Sequence, residues 1–282
     1  MRSFISIAVL IILFSISGFA REEDSYLISP IIFPPDTGST HTTDTVKRKE
    51  PLKMNIVING GVGLPAGKFS VNYFDYLNST GGGGVTGFKG EGGFAAPGSS
   101  FNLCAEYALK NSFLGITGNI GYYRNQFNMN DYAYGYNYNS PVYYNSFTIM
   151  PGLFAGFSDE KVSLVFRISA GLMILQSPNI TYSGDSIYPN FQNSTLDTAT
   201  ISRRLEPATT AAFAFSAGMS IRFKITEKWF AGINIDYMQA FPTLNISSVF
   251  AENGISTGGT GDVNCPYSLI NLTVAFGYHI GN

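Results

Sequence analysis

Charge is scarce in this chain of 282 residues, with Asp, Glu, Lys and Arg together making up 13%. A net charge of −2 with no basic stripe excludes an electrostatic nucleic-acid binder. Histidine is nearly absent, at His41 and His279 only. Two distant histidines and two distant cysteines form no metal-ligand cluster, so no metal or cofactor is expected. Beyond the N-terminus there is no unbroken apolar run of the roughly 18 residues that a membrane helix needs. The Gly81–Gly84 run is no phosphate loop, because no Lys-Ser/Thr follows it.

Cys104 and Cys265 are the whole cysteine complement. A pair in an exported chain raises the alternative of a bridge. Without a framework of several cysteines, two separate thiols are the expectation.

What is present is apolar content in alternation, with 15% aromatic residues and 31 glycines. The N-terminus differs from the rest. Met1-Arg2, the apolar run Ile5–Phe14, and Gly18 and Ala20 at −3 and −1 form a secretory signal cut after Ala20. An uncleaved anchor helix is the alternative, but the apolar run is short and its flank Arg21-Glu22-Glu23-Asp24 is mainly acidic. No cysteine lies near the cut, so no lipid anchor is expected. Residues 21–51 show four prolines, a Thr/Ser-rich centre and no period, and are expected to be a disordered periplasmic tail.

From Leu52 onward a period of two sets in. Expected strands are Met54–Leu64, Gly98–Leu109, Phe113–Arg124, Val142–Phe157, Lys161–Leu175, Thr209–Ile225, Trp229–Phe241 and Tyr267–Ile280. Pro151 interrupts the fourth, where a bulge or bend is expected. Connections alternate long and short. The long ones are about 66–97, 125–141, 176–208 and 242–266 and are read as loops. Eight strands joined in this rhythm make an antiparallel up-and-down meander, with all short turns at one end.

Each strand has one face of Phe, Ile, Leu and Tyr and one of Gly, Ser, Thr, Ala and Asn. An eight-stranded bore is only just wide enough for side chains, so the large face does not fit inside. A soluble sandwich would bury that face but show water a surface rich in Gly and Ser and poor in Lys and Glu. The expected fold is therefore all-β, a transmembrane barrel spanning residues 52–282 with its greasy face toward lipid. Tyr107, Tyr122, Phe157, Phe223, Trp229, Tyr237 and Tyr278 near strand ends fit an aromatic girdle.

This strand pattern, the phrase GVGLPAGKF at Gly61–Phe69 and the terminal strand Tyr267–Ile280 resemble the small eight-stranded outer-membrane barrels of Gram-negative bacteria, the outer-membrane-protein-A/X-like porin family. The resemblance implies the outer membrane as location, lipid and lipopolysaccharide as surroundings, and insertion by the barrel-assembly machinery through the last strand. The family's frequent terminal aromatic residue is missing, since the chain ends His279-Ile280-Gly281-Asn282. The peptidoglycan-binding domain of longer members is not expected.

Glu106, Arg167, Arg222 and Asp236, with Asn119 and Asn234, fall on the lumen face. They are expected to form a structural salt-bridge and hydrogen-bond network, a gated ion-selective constriction being the alternative. No catalytic residue is expected. Barrel enzymes need a histidine base near the outer rim, and His279 lies at the opposite end. Tyr132, Tyr134, Tyr136 and Tyr138 alternate with small residues in the 125–141 connection. They suit an external recognition loop for a glycan or protein, against the plainer reading of a solvated loop within surface polysaccharide. The expected function is thus structural or surface-interacting, with a narrow channel and a lipid-modifying enzyme as the alternatives.

Overall fold

A computed structural model describes residues 54–70, 93–109, 113–133, 135–190 and 195–280. The signal segment, the 21–51 tail, the Gly81–Gly84 run, the Lys110–Ser112 turn, Tyr134 and the last two residues lie outside these.

Thirteen strands are numbered in chain order among the described residues, and eight of them build a barrel. The eight are β1 (Met54–Pro65), β2 (Ala95–Ala108), β3 (Leu114–Phe127), β5 (Tyr143–Ser158), β6 (Val162–Gln176), β9 (Thr209–Lys224), β10 (Trp229–Ala240) and β13 (Tyr267–Ile280). They close in the order β1-β13-β10-β9-β6-β5-β3-β2. Every pairing is antiparallel. Closure is made by β1 on β13, which run in register from Met54↔Ile280 to Pro65↔Leu269. Each predicted strand is present, with ends shifted by at most a few residues.

The short turns have local causes. In Ser158–Val162, the Asp159 amide donates to the Val162 carbonyl at 2.8 Å and the Asp159 carboxylate accepts from the Glu160 amide at 2.8 Å. Between β9 and β10 the Thr226 hydroxyl accepts from the Lys228 and Trp229 amides. Such side-chain caps replace backbone partners in a tight reversal.

Two expectations need correction. Pro151 makes no bulge: β5 keeps one register against β6 from Asn145↔Gln176 to Ser158↔Ser163, and pairing merely lapses at Met150 and Pro151. Proline removes one donor, and the intact β3–β5 ladder on the other side keeps the strand in register. The connections 176–208 and 242–266 are not loops. They fold into hairpins β7 (Ile180–Asn190) with β8 (Thr195–Leu205), and β11 (Thr243–Glu252) with β12 (Ile255–Asn264). With the two-residue β4 (Asn137–Tyr138) they form a separate five-stranded sheet, β12-β11-β8-β7-β4, at the long-connection end. A short helix α1 (Met129–Tyr132) precedes β4, and a 3-10 turn at Gly67–Ser70 follows β1.

Side chains alternate around the whole barrel. Ile58, Phe101, Ile120, Ile149, Ile168, Ile221, Ile233 and Val274, one from each strand, point out and are exposed. Their alternates Val57, Asn102, Gly121, Thr148, Arg167, Ser220, Asn234 and Ala275 point in. A continuous exposed apolar band on all eight strands is stable only against hydrocarbon. At the short-turn rim the Trp229 ring stacks on Phe276 at 5.0 Å and Phe113 on Phe157 at 5.5 Å, which suits an interfacial girdle.

Candidate functional site

The lumen has two storeys. In the lower one, toward the short turns, β2 delivers Glu106, β9 Arg222, β6 Arg167 and β10 Asp236, all at inward positions of the alternation. Arg222 grips Glu106 with both terminal nitrogens at 2.6 Å. Arg167 donates to Asp236 at 3.0 Å and stands 3.6 Å from Glu106. Two cations and two carboxylates so close in a narrow bore balance one another. Asn55 donates to Glu106 at 3.2 Å and meets His279 Nδ1 at 2.6 Å. Asn234 donates to Asn59 at 2.9 Å and to Thr273 at 3.1 Å. Asn119 belongs to a different setting. Its Oδ1 has no protein partner and lines a cavity of about 20 Å³ with Arg167, Asp236 and Asn271. Arg167 Nη1 and Asn271 Oδ1 are likewise without hydrogen-bond partners. Polar walls around a water-sized space suit a trapped water.

The rings of Phe154 and Phe230 also enter this lower storey. A Cβ on Gly115 would come within 2.3 Å of the Phe154 ring, and one on Gly277 within 2.0 Å of Phe230. The lumen glycines are thus partly there to make room for inward aromatics.

The upper storey overturns the expectation of a lumen lined by small and polar residues. Tyr123, Tyr144, Met150, Met173, Leu175, Met238, Tyr267 and Leu269 all point inward and are buried. Phe69, from the 3-10 turn after β1, sits over them fully buried, 4.5 Å from the Tyr267 ring and 5.2 Å from Tyr144. Their parity along each strand was a readable signal. The seat of Phe69 was not, because a residue in a connection has no periodicity to betray it.

The aromatic cluster continues upward into the external sheet through Ile180, Tyr182, Leu205 and Leu244. Three of the four tyrosines in the 125–141 connection join it. Tyr132 packs on Phe94, Phe127 and Tyr182 at ring distances of 5.3, 5.2 and 5.9 Å. Tyr136 packs on Tyr182 at 5.4 Å, and Tyr138 lies half-buried against the same core with its hydroxyl on Asn130. Their rings are turned to the protein itself. Both cysteines are buried free thiols, Cys104 in the lumen and Cys265 between β12 and β13. Burial pushes the Cys265 thiol up to about 12.

No protein-family profile and no curated protein sequence matches the chain. Solved structures do. A major outer membrane protein from Thermus thermophilus is 10% identical, with a TM-score of 0.42, covering 80% of this chain and 99% of its own. OprG from Pseudomonas aeruginosa is 8% identical, with a TM-score of 0.40 over 81% and 97%. Neisserial surface protein A is 9% identical, with a TM-score of 0.39 over 80% and 97%. By strand number, closure and the facing of its side chains, this chain has the fold of the small eight-stranded outer-membrane β-barrels.

Proposed function

We propose that the protein is an outer-membrane surface protein that works through its ordered external sheet, without catalysis and without a standing pore. One observation carries this reading. Among the described residues, parts of three long connections are built into a five-stranded sheet above a lumen occupied by charged pairs below and by aromatic and aliphatic side chains above. Below, the Arg222–Glu106 and Arg167–Asp236 pairs bridge the bore, and above, Phe69 and Tyr267 close it. The cavity beside Arg167, Asp236 and Asn119 has room for little more than a water. A transporting barrel keeps its bore open, whereas a surface binder invests its order outside the membrane. Among the described residues the sole histidine, His279, is held by Asn55 at the short-turn end, away from any external substrate.

The charged quartet favours a second reading, a gated constriction. Planar-bilayer recording separates the two. The proposed function expects no stable openings from the wild type. Stable openings abolished by Arg167→Gln would overturn it. In a complementary test, residues 177–207 and 242–265 are replaced by short Gly/Ser turns. Cells bearing the trimmed barrel are expected to lose attachment to glycan- or protein-coated surfaces that cells bearing the full protein show. Undiminished attachment would equally sink the proposal.

A further inference from the structure

The external sheet has two unlike edges. β4 is two residues long, while β12 offers ten, Ile255–Asn264. Among the described residues nothing pairs with the outer side of β12. Nine of its ten residues are exposed, only Val263 being half-buried. Natural edges are guarded by lysine, proline, bulges or shortness. β12 has no lysine, no proline and a single charge at Asp262, and it runs unbroken in register against β11 from Ile255↔Glu252 to Asn264↔Thr243. It is a long, unguarded edge about 33 Å in extent.

Its side chains sharpen this. Gly259 and Gly261 lie opposite Ser248 and Ile246, so they share the sheet face that carries buried Leu244 toward the core. A Cβ at either glycine would meet nothing within 4 Å. At the foot of the same face lies a small cleft lined by Leu244, Ile246, Val263, Cys265, Leu205 and Ile180. Two vacancies two residues apart, above an apolar cleft, call for bulky apolar side chains at alternate positions of a neighbouring strand.

We propose that the β12 edge binds an extended polypeptide segment from another protein by strand addition, with bulky side chains at alternate positions filling the space over Gly259 and Gly261. Backbone amides give the affinity and the vacancies give the selectivity. This rests on the external sheet being the functional part, and names its partner class. A second copy of β12 fits poorly. Antiparallel self-pairing centred on Thr260 sets Gly259 against Gly261 and leaves both vacancies open. The near absence of charge along β12 also favours a neutral segment.

The test uses the full protein in lipid nanodiscs and a fluorescein-labelled ten-residue peptide with Tyr and Val alternating with Ser. Binding is read by anisotropy. Two backbone N-methylated versions carry methyls on one or the other alternate set of amides. Only one set faces β12, so one version is expected to bind at least tenfold more weakly and the other nearly unchanged. Gly259→Val with Gly261→Val is expected to weaken the parent peptide at least tenfold while heat-modifiable migration stays normal. Equal binding of both methylated versions overturns the proposal, as does absence of binding. Binding of oligosaccharides in place of the peptide overturns it too. Self-association abolished by the same substitutions and indifferent to peptide would put a second copy on the edge and overturn the heterologous partner. Sheet-dependent attachment without peptide binding defeats this inference alone, while peptide binding with sheet-independent attachment defeats the broader function alone.

Discussion

Glu106 is the residue on which the lower lumen turns. It accepts two hydrogen bonds from Arg222, one from Asn55, and neighbours Arg167. Replacing it by Ala strands the Arg222 guanidinium in a confined space, while Arg167 keeps Asp236. The expected loss is about 3–5 kcal/mol, read from the urea midpoint of the barrel folded in vesicles. Glu106→Gln combined with Arg222→Met removes the demand as well as the supply, and is expected to lose much less. Cys265 gives a second test at this scale. Its raised folded value of about 12 means that the folded state keeps a proton which the unfolded chain gives up near pH 9. Its contribution is therefore intact below about pH 9 and is lost as pH rises toward 12. Maleimide labelling at pH 7.5 is expected to be negligible on the folded protein and complete after unfolding.

At the scale of elements, the barrel strands were legible because each must alternate between lipid and lumen, a demand that leaves a period of two in the sequence. Tyr267–Ile280 was found to the residue. The hairpins β7–β8 and β11–β12 were not, since a sheet in water on one side accepts Ser, Thr, Gly and Asp where the barrel accepts only apolar residues. One signal was there to be used. Asn253-Gly254 sits between Val249-Phe250 and Ile255, and both turn residues adopt positive φ, 47° and 82°. That dipeptide is the strongest short hairpin marker, but the prolines at 242 and 266 and the glycines between suggested a loop. Gly254→Val places a β-branched side chain in the left-handed region at a cost of about 1–2 kcal/mol. It is expected to make β12 a target of limited proteolysis while leaving the barrel resistant. The lumen quartet was legible from parity alone. The pairing pattern within it was not, because which arginine meets which carboxylate depends on the relative height of four strands.

For the whole molecule, the continuous apolar band and the closed ladder act together. A closed barrel has no edge from which unfolding can begin, and lipid surrounds it on every side. The folded protein is therefore expected to resist dodecyl sulfate at room temperature and to migrate differently before and after boiling. A sample soluble without detergent and indifferent to boiling would contradict the membrane assignment.

The seam between β1 and β13 has a further meaning. Met54 stands opposite Ile280, so the two ends of the barrel's path are neighbours. A peptide link of a few residues could join them, and the ring could be cut instead at Ser158–Val162. Such a circular permutant would keep every ladder and every lumen contact while starting in β6 and ending in β5. Order along the chain and order around the barrel are thus separable here, and which strand comes last becomes a matter of synthesis and insertion alone.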